Sequence, residues 1–515
     1  MELNQESRTI NASKNAVSAI ANKIALLFLT FISRKFFISY IGVEYLGIDG
    51  LFANVLTLLS MADLGLGTAI NVSLYKPIAE NDTYKITALL NYFKILYRFI
   101  ALGVTVMGIA LIPFLKYLVN MDSDIQYLYL YYVVFVAKNT VSYLFIYKSA
   151  LIRADQKTYL INKVEVVINF VKVVVQILSI IILKSYFIYI LADVIAILAQ
   201  NIIVSSQADK QYSFITDNSK LELSEKKGIF SDVASIFLYK IAWSLLNGTD
   251  NILMSIIVGT VYVGLYSNYF IITNNLETFI ALLFTSLTAS VGNLVATSDE
   301  NNRYKIFKMM QMVSFWLCGI VCLSILFLMQ DFIQLWLGKK FLLDQLTLVA
   351  IVLNVFFSTC MRPVWTFREG TGMYKQIRYI MFLTALINLG LSIVLGNFWG
   401  ISGILFATVI SKLLTYFWYE PNILFKKFFK VSSYSYYVEY IKNALVLGIC
   451  GLLCYIPISH ITHISLISWL LKAFICVIII NLVYLIRYYR TPEFLNIKNK
   501  VTKIISHKSS YKKSK

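Results

Sequence analysis

The chain has 515 residues, 58% of them hydrophobic and 14% charged, with a formal net charge of +19. Its mean hydropathy of +0.71 excludes a soluble globule, whose outer surface would need far more charge, and leaves an all-α polytopic membrane protein. The excess of cations is better explained as a topology signal than as a nucleic-acid footprint.

In chain order, a polar leader of residues 1–15 runs into the first apolar stretch, 16–41, without the short core and small-residue cleavage pattern of a secretory signal. Thirteen more stretches follow, at 46–72, 90–118, 125–150, 160–183, 186–206, 229–257, 262–295, 309–330, 344–365, 375–396, 400–424, 437–458 and 464–487. Each has at least about 20 residues, enough for a helix to cross roughly 30 Å of hydrocarbon. About fourteen transmembrane helices are therefore expected. With the N-terminus inside, the 46 Lys and Arg divide into 34 on inside segments, 4 outside (Lys116, Lys184, Lys339 and Lys340) and 8 within spans. That asymmetry puts both termini in the cytoplasm. The segment from Arg487 to Lys515 carries nine of the inside cations and suits anionic headgroups.

An internal repeat overlies these spans. Residues 12–54 reappear without a gap, 217 positions later, as 229–271: Lys23, Ile24 and Ala25 recur as Lys240, Ile241 and Ala242, and Gly42, Tyr45 and Gly47 as Gly259, Tyr262 and Gly264. A second echo, AENDTYKI from Ala79 and DENNRYKI from Asp299, is offset by 220. Duplicated helix bundles are a common plan for secondary transporters.

Ionisable residues at membrane depth are costly unless they face a cavity or a partner, so they are the site candidates. In the first span Lys23, Thr30 and Arg34 share a face: eleven residues at 100° each return Arg34 to within about 20° of Lys23, roughly 16 Å along the axis. The duplicated span offers Lys240, Asn247 and Asn251, and two matching polar faces imply a cavity between the halves. Lys138, Lys172 and Lys412 lie near the middle of the fourth, fifth and twelfth spans. They are equally suited to line a cavity or to pair with Asp193, Asp250 or Glu277. Asp63, Asp250 and Glu277 are candidates for ion coupling, although helix-to-helix hydrogen bonding explains them as well. Lys23 and Lys240 can also snorkel to the cytoplasmic headgroups, and Lys472 reads as an interface anchor. Cations outnumber acids in this set, so the cavity would suit a phosphate or pyrophosphate and repel lipophilic cations.

Other chemistries lack their residues. Outside connections reach only about a dozen residues, too short for a folded catalytic domain, and there is no phosphate-binding G-x-x-x-x-G-K-[ST] loop. The six cysteines fall in apolar spans and read as small core residues. His460 and His463 have ligand-like spacing in an outside loop, with no completing ligand. No metal, cofactor or enzymatic activity is expected.

The segment from Tyr45 to Ile86, with Asn247–Ser255, Val263–Tyr269, Thr288–Leu294, Leu335–Leu343 and Phe417–Phe429, resembles the Wzx-type oligosaccharide flippases of bacterial capsule, exopolysaccharide and O-antigen clusters. The resemblance covers nearly the whole chain. It implies membership of the multidrug/oligosaccharidyl-lipid/polysaccharide exporter (MOP) superfamily, with two pseudo-symmetric six-helix lobes (1–207 and 229–425), a cytoplasmic linker (208–228), two further helices (426–490) and a basic tail (491–515). It further implies translocation of an undecaprenyl-pyrophosphate-linked oligosaccharide from the inner to the outer leaflet of the bacterial plasma membrane. Glycosyltransferases and a polymerase of the same pathway are the implied partners, and nucleic acid is not. Arg34 and Asp63 fit the family's basic and acidic positions, although no universal catalytic motif exists to transfer. A cation-coupled multidrug exporter of the same superfamily, and a membrane glycosyltransferase or polymerase, are the alternatives.

Overall fold

The computed structural model describes residues 8–60, 66–121, 125–216, 219–223, 225–226, 241, 244–246 and 248–499. Among these the chain is helical nearly throughout, with no strand. Packing divides it into two compact units, Met1–Gly264 and Leu265–Lys515.

The first unit contains α1 (Arg8–Tyr40), α2 (Val43–Leu59), α3 (Leu66–Glu80), α4 (Thr83–Ala110), α5 (Leu128–Tyr143), α6 (Ile146–Ala154), α7 (Thr158–Leu183) and α8 (Tyr186–Gln211). α1 lies along α7, which packs on α8, while α5 joins α8 to α4 and α2. Helix α9 (Thr260–Thr285) starts in the first unit and crosses the boundary. The second unit continues with α10 (Thr288–Thr297), α11 (Glu300–Trp336), α12 (Gln345–Thr371), α13 (Tyr374–Leu414), α14 (Tyr416–Leu424), α15 (Tyr434–Ser459) and α16 (Leu466–Tyr488). α11 and α12 are its innermost pair, with α15 and α16 packed against α11.

Nine of the described helices are long and apolar enough to span a membrane, or ten when α5 and α6, bent by 44°, count as one broken span. Eleven of the fourteen expected spans fall on these helices, 125–150 being the broken pair. Spans 375–396 and 400–424 are the two limbs of one run, Gln376–Phe429, broken where Gly400 leaves helical geometry. Span 16–41 lies in α1, whereas 46–72 and 229–257 pass through residues outside the described set. Large side chains such as Phe170 and Ile182, 57% and 69% exposed, are what a helix presents to lipid. The protein is thus a multi-pass, all-α membrane protein.

The repeat reappears as backbone geometry. Gly42 adopts φ 108° and ψ 171°, and Gly259 adopts φ 129° and ψ 147°, in a region open to glycine and strained for other residues. Each amide also bonds to the carbonyl five residues back, Gly42 to Phe37 at 3.4 Å and Gly259 to Met254 at 2.9 Å. The starts of α2 and α9 then cross without room for side chains. A Cβ on Gly47 would lie 2.0 Å from the Thr260 carbonyl oxygen, and one on Gly264 would lie 2.5 Å from that of Val43. Val43 and Thr260 are themselves repeat equivalents, so the contact is reciprocal. Asn120 anchors the start of α9: its amide donates to Thr260 Oγ1 at 2.9 Å, and its carbonyl accepts from the Thr260 amide at 2.8 Å.

The second echo is out of register with the helix starts. The N-caps of α4 and α11 are Asp82 and Asp299, 217 residues apart like the first repeat. Tyr84 and Tyr304, which the echo aligns, therefore differ by three positions within their helices.

Helix α12 opens on a cap of the same kind. Asp344 accepts from the Thr347 amide at 2.8 Å and from its hydroxyl at 2.5 Å, using donors that the first helical turn leaves unsatisfied. Asp344→Ala is expected to cost about 1 kcal/mol, read as a lower thermal midpoint of the purified protein in detergent.

Candidate functional site

In the first unit, five helices bring charged groups together between them. Lys138 on α5 and Lys172 on α7 both reach Asp193 on α8: Lys138 Nζ lies 2.7 Å from Oδ2 and Lys172 Nζ lies 3.2 Å from Oδ1. Gln176 sits one helical turn beyond Lys172 on the same face. Its amide donates to Asp193 Oδ1 at 3.2 Å and to the Tyr189 carbonyl at 3.1 Å. On α2, Asp49 accepts a 2.6 Å bond from the Tyr186 hydroxyl and lies in the electrostatic field of Lys138, Asp193 and Arg34. Arg34 of α1 in turn feels Asp49 and Tyr189.

An aromatic shell fixes these groups. Tyr186 makes edge contacts with Tyr131 at 4.8 Å and Phe37 at 5.9 Å and a tilted one with Tyr45 at 4.8 Å, while Phe37 also meets Tyr189 at 4.8 Å. Such contacts add to burial and restrict ring rotation. The cluster sets three cations, Arg34, Lys138 and Lys172, against two carboxylates, Asp49 and Asp193. It is net cationic in a setting where charges interact strongly.

The other expected residues are dispersed. Lys23 is half-buried on α1, near Asn22, whose amide donates to Glu165 at 2.8 Å. Thr30 is exposed on α1, and its hydroxyl donates to the Leu26 carbonyl at 2.8 Å, the local bond that hydroxyls make inside helices. Asn251 is half-buried, with its Oδ1 lacking a hydrogen-bond partner among the described residues, and Asp250 is half-buried beside it. Lys240, Asn247 and Asp63 lie outside the described residues.

In the second unit, Lys412 is buried with its ammonium 5.7 Å from the Phe357 ring centre, and Glu277 accepts from Ser358 Oγ at 2.6 Å. Lys472 is not an interface anchor; its side chain is buried in an ion pair with Asp331 at 2.7 Å. Arg368 and Glu420 make a further buried pair at 2.8 Å. All six cysteines are buried, and no group of three His, Cys, Asp or Glu among the described residues is placed to hold a metal ion.

Sequence reasoning did not select Asp49, Gln176, Tyr186 or Tyr189. Asp49 carried a usable signal, an acid inside an apolar run. Gln176 carried another, its position one turn from Lys172.

No protein-family model matches the chain, and no curated protein matches it by sequence. Solved structures do match it. The lipid II flippase MurJ in an inward closed conformation is 16% identical with a TM-score of 0.65, the alignment covering 92% of this chain and 98% of that one. An inward-facing multidrug resistance transporter of the MATE family, in the MOP superfamily, is 13% identical with a TM-score of 0.58, covering 78% and 97%. A MOP-superfamily transporter from Pyrococcus furiosus, described for the reversed polarity of its binding pocket, is 14% identical with a TM-score of 0.54, covering 79% and 95%. These likenesses show the fold: the chain is built like the transporters of the MOP superfamily.

Proposed function

We propose that the protein is a flippase, not an enzyme, that carries an undecaprenyl-pyrophosphate-linked oligosaccharide from the cytoplasmic to the outer leaflet of the bacterial plasma membrane by alternating access. The observation that carries this reading is the net cationic cluster of Arg34, Lys138 and Lys172 at membrane depth. Oxygen-rich anions are the ligands such a cluster favours, with Arg supplying paired hydrogen bonds and Lys a point charge. The fold shared with a lipid II flippase supports it. Lys23, Lys240, Asn247, Asn251 and Lys412 are assigned to the sugar-pyrophosphate route, and Asp63, Asp250 and Glu277 to ion coupling. Glycosyltransferases of the pathway would meet the basic inside segments.

Likeness to MATE transporters favours a second reading, export of lipophilic cations. The charge balance of the first unit opposes it, because a net cationic site repels such substrates.

The deciding measurement is the leaflet distribution of lipid-linked oligosaccharide in cells depleted of the protein. Complete repeat units accumulating on the cytoplasmic side support flipping. Unpolymerised units outside point to a later enzyme, and unchanged lipids with raised dye sensitivity point to drug export. Arg34→Ala is expected to lower flipping at least about tenfold, the weight of one charge-assisted contact, at unchanged protein level, with Arg34→Lys intermediate. Near-normal polysaccharide in Arg34→Ala cells removes the residue from the route.

A further inference from the structure

Asp193 holds three donors at once. Lys138 Nζ is 2.7 Å from one carboxylate oxygen, while Lys172 Nζ and Gln176 Nε2 are each 3.2 Å from the other. They come from different helices, α5 and α7, and converge on one small oxyanion. A carboxylate with an ammonium on each oxygen presents the same charge pattern as two non-bridging oxygens of a phosphoryl group. The side chains are not sealed: Lys138, Lys172 and Asp193 retain 31%, 22% and 17% exposure.

We infer that Lys138, Lys172 and Gln176 form a phosphoryl subsite, and that Asp193 is its internal competitor, occupying the subsite until a pyrophosphate displaces it. This rests on the flippase reading and adds how its substrate is released. Two ammonium groups facing a pyrophosphate in a low-dielectric setting bind it strongly, and a carrier that binds strongly releases slowly. A tethered carboxylate converts that binding into an exchange of one anion for another. Affinity falls, and returning Asp193 expels the product. Asp193 is therefore a positioning and specificity-setting residue. Asp49 is the second carboxylate in the same field, but its contact is the Tyr186 hydroxyl, which leaves Asp193 as the competitor for the lysines.

The test is binding of inorganic pyrophosphate and, separately, geranyl pyrophosphate to the purified full-length protein in detergent, by calorimetry. Asp193→Asn is expected to tighten both about tenfold, and Lys172→Gln to weaken both by a similar factor. Tightening for geranyl pyrophosphate alone identifies a lipid headgroup as the source, and equal tightening for both identifies the phosphoryl group itself; each supports the subsite. Unchanged or weaker binding by a monodisperse Asp193→Asn protein overturns it and leaves Asp193 a structural partner. Should that variant fail to fold, Gln176→Glu asks the same question in reverse: a second carboxylate beside the lysines should weaken binding about tenfold, and no change overturns the proposal. The two readings fail separately. Tighter binding by Asp193→Asn, with depletion leaving the oligosaccharide lipids unchanged, keeps the subsite and removes the flippase. Cytoplasmic accumulation on depletion, with affinity untouched by Asp193→Asn, does the opposite.

Discussion

Gly47→Ala is expected to destabilise the protein by about 3 kcal/mol, the upper end of the overpacking range. The new methyl would sit 2.0 Å from the Thr260 carbonyl oxygen, and the obstacle is backbone, which cannot swing aside as a long side chain can. Helices in a membrane associate through close backbone approach at small residues, because lipid is as apolar as the side chains and gives no hydrophobic drive. Forcing α2 off the start of α9 therefore forfeits the contact itself. Gly264→Ala should cost a comparable amount, since its Cβ would lie 2.5 Å from the Val43 carbonyl oxygen. The control is Gly103→Ala on α4, where nothing lies within 4 Å of the added atom. That change should be neutral or stabilising by up to about 1 kcal/mol, from helix propensity alone. Thermal unfolding of the three variants in detergent separates these outcomes, and equal midpoints would refute the close approach.

Glu420→Ala is expected to cost about 3–5 kcal/mol, the penalty for leaving one member of a buried ion pair without the other. Arg368 is 8% exposed and Glu420 fully buried, with their charged atoms 2.8 Å apart; Glu369, at 3.7 Å from the same guanidinium, is too distant and too exposed to replace Glu420. The physical cause is desolvation, so removing both charges should hurt less than removing one. An Arg368→Met, Glu420→Leu double variant should recover most of the loss, because well-packed apolar side chains of similar volume substitute for a buried pair at little net cost. A double-mutant cycle on unfolding free energy checks this. Strict additivity of the two single changes would show that the pair is not coupled.

The charged candidates were only partly legible in the chain. Lys138 and Lys172 stood out as cations inside apolar runs, and Asp193 was among their possible partners. That both lysines converge on that one carboxylate depends on how α5, α7 and α8 are rotated and how deep each sits. Thr30 was assigned to the Lys23 and Arg34 face by its angle around α1; that its hydroxyl donates to the Leu26 carbonyl is a bond within its own helix that angular position does not report. Lys472 looked like an interface anchor from its place near a span end, yet Asp331, 141 residues away, holds it buried.

The sequence by itself determined the membrane class, the approximate places of the spans and the duplication. Hydropathy is a sum over neighbouring residues, and glycines that need positive φ, such as Gly42 and Gly259, keep their positions through a duplication. Only the tertiary structure decided that Gly47 and Gly264 meet the opposite copy's helix start, that Asp49 joins the cation cluster, and that Arg368 pairs with Glu420. Each of these is a contact across dozens to hundreds of residues, set by helix rotation and depth, and the cost of an unpaired charge or a steric overlap in lipid selects among arrangements that local sequence leaves equivalent.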